Sequence, residues 1–157
     1  LAIVIRPIRE VEISDAVKVI IGGSTKPQFE DPENVEAYWS AVEETRARRG
    51  DVLVADNDGQ VVGVCQVLIF QHFQHSGGWC CEVESVHVRA DQRSQGIGTR
   101  LLEAAETFAI EQGCYRIQLT SNNVREDAHR FYQRLGYEAT HHGFKKHFNV
   151  RAVNSAD

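Results

Sequence analysis

The chain predicts an α/β (α+β) domain built on a mixed, mostly antiparallel central sheet of about seven strands with four helices. Three observations carry that reading. Seven short segments are apolar on alternate or consecutive positions, as strands are. Four longer segments place apolar residues on one helical face. The two kinds are interleaved as β-α-α-β-β-β-α-β-α-β-β, with turn residues between them and no linker, repeat or low-complexity tract. A length of 157 residues suits one core, so residues 1–157 read as a single domain.

Residues 2–8 alternate as a first strand that ends at Arg6-Pro7. Residues 12–21 read as a helix with Ile13, Ala16, Val17 and Ile20 on one face, stopped by Gly22-Gly23. Asp31-Pro32 supplies an N-cap followed by proline in the first turn, opening a helix to about Arg49 that Gly50 ends. Residues 51–55 and 60–71 are strands joined across Asp56-Asn-Asp-Gly59, a hairpin signal. The consecutive apolar residues 61–64 and 67–70 make the second of them a central strand covered on both faces. A loop at 72–78 leads to a strand over 80–88, then to a helix with Ile97, Leu101, Ala105, Phe108 and Ala109 on one stripe, closed by Gly113. A strand at 114–121, a short helix, and two short strands at 137–140 and 144–149 complete the order.

The junction Val88-Arg-Ala-Asp-Gln-Arg93-Ser-Gln-Gly96-Ile-Gly98 passes from strand through a glycine-containing loop directly into a helix. The first N–H groups of a helix have no partner within it and its dipole is positive there, so this turn suits an anion such as a pyrophosphate. Arg93 and Arg100 add positive charge at its edges. The spacing fits neither Gly-x4-Gly-Lys-Ser/Thr nor Gly-x-Gly-x-x-Gly, which sets aside P-loop and dinucleotide-binding readings. A second motif lies about thirty residues on. In Asn122-Asn-Val-Arg-Glu-Asp-Ala128-His-Arg-Phe131-Tyr132-Gln-Arg-Leu135-Gly136, the residues Ala128, Phe131, Tyr132 and Leu135 share a helical face and Gly136 closes it.

Together, Arg93-x-x-Gly96-x-Gly98 and Ala128-x-x-Phe131-Tyr132-x-x-x-Gly136-Tyr137 resemble the two signatures of the GCN5-related N-acetyltransferases, the GNAT superfamily. The likeness covers roughly residues 3–148, and its flavour is that of small-molecule members with Ala-His-Arg-Phe-Tyr, aminoalkylphosphonate N-acetyltransferases among them. The resemblance implies a sheet splayed at the cofactor site and acetyl-CoA as co-substrate. Backbone N–H groups of Ser94, Gln95, Gly96, Ile97, Gly98 and Thr99 would hold the pyrophosphate. Main chain at Val86, His87 and Val88 would pair with the pantetheine arm, and the Val88 N–H would donate to the thioester carbonyl. Asn122, Asn123, Ala128 and Phe131 would line the cofactor on the other motif's side. Tyr132 would be the acid that protonates the departing thiolate, and Glu82 or Glu84 the base that frees the acceptor amine. Strand alternation puts Glu82 and Glu84 on one side, shared with Val86 and Val88, where each carboxylate raises the other's pKa.

The acceptor implied is a primary amine of a small molecule. A protein or peptide amine, or a non-catalytic acyl-CoA-binding regulatory module, are the other readings the same residues allow. A net charge of −5 argues against general nucleic-acid binding, and no apolar stretch has membrane-spanning length. Cys65, Cys80, Cys81 and Cys114 form no Cys-x-x-Cys and sit in apolar runs, which reads as buried free thiols of a cytoplasmic protein. His72, His75, His141 and His142 read as solvated or substrate-facing rather than as ligands, so no metal is expected. The C-terminal strands, with Phe144 and Phe148, offer an edge for a homodimer.

Overall fold

The apolar runs up to residue 119 pair into one sheet of order β1-β2-β3-β4-β5, comprising β1 (Ile3–Pro7), β2 (Asp51–Asn57), β3 (Gln60–Gln71), β4 (Trp79–Val88) and β5 (Cys114–Leu119). The first three pairings are antiparallel and β4–β5 is parallel. The structure, a computed structural model, describes residues 2–149, which fall in two compact units divided between Leu119 and Thr120.

In the first unit, two helices cover one face of the sheet. These are α1 (Ile13–Ile21) and α2 (Val35–Ala47), whose Ile13, Ala16, Val17 and Val42 are buried with Val54, Val61 and Val64. A one-turn element, α3 (Gln74–Gly77), joins β3 to β4. The helix α4 (Ile97–Glu111) covers the opposite face through the fully buried Leu101, Leu102 and Ala105. It approaches so closely that a Cβ on Gly63 would lie 3.0 Å from Leu101 Cδ1. Residues 61–65 of β3 are all buried, as the consecutive apolar run requires of a strand covered on both sides. The β2–β3 hairpin turns on Asp58 and Gly59, both with positive φ (51° and 85°), the geometry of a two-residue type I′ connection.

The edge strand β1 is tied to α1 by charge. Arg6 donates to Glu12 (2.6 Å) and to Asp56 (2.6 Å), and Glu12 also accepts from the Arg9 guanidinium (2.5 Å) and backbone N–H (2.9 Å). These bonds, Arg6 foremost, hold the buried Glu12 carboxyl well below the usual carboxylate range against the opposing effect of burial.

Two expectations are corrected. The second helix begins at Val35 rather than after Asp31, with Asn34 as its cap accepting from the Ala37 N–H (3.4 Å). The Asp31 side chain instead accepts from Glu33 (3.0 Å) and its carbonyl from Asn34 (3.1 Å), closing a turn ahead of the helix. The sheet has five strands among the described residues rather than seven: 137–140 and 144–149 form none. Residues 138–149 are exposed throughout, and a short hairpin without a third strand or a packed face is marginal at best in water.

In the second unit, α5 (Glu126–Arg134) is entered through a turn in which the Asn122 side chain accepts from Val124 (3.1 Å) and its carbonyl from Arg125 (2.9 Å). Gly136 follows it with φ +91°, the left-handed closure its position predicts.

Candidate active site

β4 carries the candidate base residues, and a bulge decides where its side chains go. Val64 pairs with His87 and Gln66 with Glu84, so the two residues Ser85 and Val86 stand opposite the single residue Cys65. Ser85 has φ +54°, the local distortion this extra residue demands. Alternation is therefore reset. Glu82 and Glu84 do share a face, but with His87, on the side of Leu68, Gln66 and Val64. Val88 falls on the opposite side with Val83. The expected common side for the two glutamates and Val86/Val88 is thus overturned by one inserted residue.

The splay expected of the sheet is present. β4 and β5 pair from Trp79↔Cys114 to Val83↔Leu119, whereas β3 accompanies β4 as far as Val88↔Gly63. The half of β4 from Glu84 to Val88 thus has a ladder on one side only. The Arg89 N–H donates to the Val62 carbonyl (2.8 Å), which makes 89·62 a hydrogen-bonded pair and its neighbour 88·63 a non-bonded one. In an antiparallel ladder the N–H and C=O of such a residue point away from the partner strand, here into the gap. The Val88 N–H is directed as a thioester-binding donor requires.

That edge leads through a short 3₁₀ turn, Ala90–Gln92, into the loop before α4. Ser94 (φ +61°) and Gly96 (φ +77°) are both left-handed, a backbone state in which successive amides form concave anion sites. Gly96 is the N-cap of α4 and offers no side chain to the free N–H groups of Ile97, Gly98 and Thr99. The first helical bond runs from Arg100 N–H to the Gly96 carbonyl (3.1 Å). A Cβ on Gly96 would meet no atom within 4 Å, so the helix entrance beside Gly96 is not filled by protein.

The two flanking arginines also tie the loop to neighbouring backbone. Arg93 donates to the carbonyls of Val88 (3.1 Å) and Gly22 (3.2 Å), and Arg100 to that of Ile3 (2.5 Å). Both guanidiniums are occupied in tying the loop and helix to neighbouring backbone. Their charge still favours an anion nearby, but their hydrogen bonds go to protein carbonyls. His87 packs at the same junction, its Nδ1 2.6 Å from where a Cβ on Gly23 would be.

Glu82 is half-buried, and burial pushes its carboxyl above the ordinary value. A hydrogen bond from Gln118 opposes this, the negative charge of Glu84 adds to it, and Arg116 opposes it again. A carboxyl tuned upward is a better proton acceptor from an ammonium group than an ordinary one. Gln118 sits opposite Glu82 in the parallel ladder, and its Oε1 also accepts from the Cys80 thiol (3.6 Å). No motif marked Gln118, since only the β4–β5 register brings it to Glu82. Burial pushes the Cys65 and Cys81 thiols up to about 12 and raises that of Cys114, so these read as packing residues.

In the second unit, Tyr132 lies half-buried on α5, its ring 5.3 Å from that of Phe131 and 6.0 Å from that of Tyr137. Its carbonyl accepts from the N–H groups of Leu135 (3.1 Å) and Tyr137 (3.0 Å), which fixes the end of the helix on which it is borne. Ala128 lines a polar pocket at the start of α5 together with Arg125, Glu126, Asp127 and Arg130. Asn122 and Asn123 are exposed ahead of that helix, and the Asn122 carbonyl lies 2.9 Å from His129 Nε2.

The fold is an α/β domain whose fourth strand parts from its parallel neighbour and leads to an uncapped helix N-terminus. The chain belongs to the acetyltransferase (GNAT) family, whose profile matches residues 21–137; the family's members are acetyl-CoA-dependent acyltransferases. Among curated relatives, the aminoalkylphosphonate N-acetyltransferase of Salmonella typhimurium is 38% identical over 93 residues. That match covers 59% of this chain and 60% of the relative, so the chain spans under two thirds of that protein's length. The L-methionine sulfoximine/L-methionine sulfone acetyltransferase of Pseudomonas aeruginosa is 31% identical over 140 residues, 83% of this chain and 79% of that one. Among solved structures, a transcriptional regulator from Bacillus halodurans superposes with a TM-score of 0.86 at 33% identity, covering 93% of this chain and 99% of that one.

Proposed function

We propose that this chain transfers an acetyl group from acetyl-CoA to a primary amine of a small molecule. The observation that carries the reading is the β4 edge. Its last five residues leave β5, direct the Val88 N–H into the gap, and run straight into the open anion cradle at Gly96. Ser94, Gln95, Gly96, Ile97, Gly98 and Thr99 hold the pyrophosphate through main-chain N–H groups, and Val86, His87 and Val88 align the pantetheine as an added strand. For Asn122, Asn123, Ala128 and Phe131, the likeness of their segment to the family's second signature supports a role as cofactor contacts.

The chemistry divides among three roles. An alkyl ammonium, with a pKa near 10, must lose a proton before it can attack. Glu82 or Glu84 takes that proton, directly or through water, and the upward-shifted Glu82 is the better matched of the two. The Val88 N–H stabilises the charge that develops on the thioester oxygen. Tyr132 gives a proton to the leaving thiolate, a role supported by its place in the Ala128-x-x-Phe131-Tyr132 segment and by the packing that holds its ring.

Continuous release of free thiol from acetyl-CoA by the purified protein, with a panel of primary amines, tests the reading. Amine-dependent release supports it, and tight CoA binding with no release for any amine refutes it. That second outcome would favour an acyl-CoA-responsive regulatory module, a reading in keeping with the likeness to the Bacillus halodurans transcriptional regulator. A cytoplasmic location and a homodimer are part of the proposal. Phe144 (94% exposed) and Phe148 (76%) are the apolar side chains available to the dimer, and light scattering reads its mass. No described helix is long and apolar enough to cross a membrane.

A further inference from the structure

The face of the sheet that bears Glu82 and Glu84 also carries one unspent cation. Residues 1–119 contain nine arginines, and eight of them donate hydrogen bonds to protein groups. Arg116 is the ninth. It makes none of the hydrogen bonds or ion pairs found among the described residues, and its guanidinium lies 5.5 Å from the Tyr115 ring centroid. The parallel register pairs Cys80 with Arg116 and Glu82 with Gln118, so Arg116 and Gln118 share the face of Glu82. A step of two residues along one strand and one strand across places the Arg116 and Glu82 backbones about 8 Å apart. The Arg116 charge is close enough to act on both Glu82 and His72.

The surroundings are those of a small-molecule subsite. Leu68 pairs with Glu82 and Phe70 with Cys80, and both apolar side chains are only half-buried, giving a floor beside the charges. The Tyr115 hydroxyl, 2.7 Å from His72 Nδ1, and the edge-on His72 ring beside Phe70 (5.1 Å) close the end of that floor next to Arg116. Carboxylates at one end and an unpaired guanidinium at the other, over an apolar floor a few bonds long, match a molecule with opposite charges at its two ends.

We infer that the acceptor is a short zwitterionic amine, its ammonium group received by Glu82 and Glu84 and its anionic group, a phosphonate or carboxylate, received by Arg116. This rests on the acetyl-transfer reading and names its substrate class. Arg116 is then the residue that sets acceptor specificity, since a planar guanidinium grips either oxyanion through paired donors.

The test compares 3-aminopropylphosphonate and 4-aminobutyrate with n-propylamine and 1,3-diaminopropane as acceptors for the wild-type protein, Arg116→Gln and Arg116→Lys. The wild type should favour an anionic amine over n-propylamine by at least about tenfold in kcat/KM, the discrimination one charged hydrogen-bonded contact supplies. Arg116→Gln should remove that advantage by raising KM for the anionic amines selectively, with a much smaller change for n-propylamine that follows from the altered charge beside Glu82, and Arg116→Lys should restore part of it. Whichever oxyanion gives the lower KM identifies the anion. Equal use of n-propylamine by the wild type, preference for the diamine, or a loss in Arg116→Gln that is the same for every acceptor would each overturn the inference while leaving acetyl transfer intact. Failure of all amines with CoA bound would overturn acetyl transfer and this inference with it.

Discussion

Replacing Gly96 by alanine separates the fold from the cofactor cradle, because the structure assigns the two effects different sizes. Gly96 has φ +77°, where a Cβ costs about 1 kcal/mol or slightly more in backbone strain. No atom lies within 4 Å of the new methyl group, so no packing clash adds to it. For a chain of this size that cost lowers Tm by about 2–4 °C, and the protein stays folded. The methyl does, however, fill part of the empty space beside the helix entrance that the proposed phosphate would use. A pyrophosphate held off by it forfeits at least one charge-assisted hydrogen bond, worth about 2 kcal/mol, so CoA should bind about 30-fold more weakly. Gly113→Ala is the matched control, with φ +78° and equally empty surroundings at the far end of α4. It should show the same fall in Tm and unchanged CoA affinity. Calorimetric titration of CoA into both variants reads the difference. Equal affinities in folded Gly96→Ala and Gly113→Ala, or wild-type affinity in folded Gly96→Val, would show that no phosphate sits on this turn.

Tyr132→Phe keeps the ring between Phe131 and Tyr137 and removes only the hydroxyl. Turnover and kcat/KM should fall together by about 10²–10⁴-fold while CoA affinity holds, and steady-state kinetics with undiminished turnover would reduce Tyr132 to packing. Because Glu82 titrates above the ordinary carboxylate value, kcat/KM should fall with decreasing pH on an acid limb displaced upward. Gln118→Leu removes the bond that favours the charged form and should move that limb higher, Glu84→Gln should move it lower, and a limb indifferent to both would exclude Glu82 as the base. Glu12 has its folded-state pKa depressed by Arg6, so its contribution to stability is present above the unfolded value near 4.3 and lost as pH falls below it. Glu12→Gln should cost about 3 kcal/mol at pH 7, read from urea midpoints, and the gap from wild type should narrow as pH drops below about 4.

The two signature segments were legible in the sequence because each is written within one turn and one helix. Gly96 and Gly98 at a strand-to-helix junction fix an open N-terminus whatever surrounds it, and Ala128, Phe131 and Tyr132 share a face by helical spacing alone. The common side of Glu82 and Glu84 follows in the same way from two residues on one strand. The order of the five strands and four principal helices was equally local, since apolar periodicity and turn residues mark each element. The last two strands failed because a strand exists only through a partner, and residues 138–149, exposed throughout, pair with none among the described residues.

Tertiary structure decided the rest. Where a single bulged residue stands, here at Ser85, every later side chain on the strand changes face, and local alternation cannot register that insertion because it arises from pairing with β3. Arg93 and Arg100 read from the sequence as positive charge at the edges of the turn. The carbonyls of Val88, Gly22 and Ile3 to which they donate are brought to them only by the folded backbone. Arg116 and Gln118 carried no motif at all, and the parallel register of β5 against β4 sets both beside Glu82. A sequence specifies which side chains a local element presents on each face. Long-range pairing chooses the register and hence the partners, because hydrogen bonds between distant strands depend on residues that periodicity within one segment does not contain.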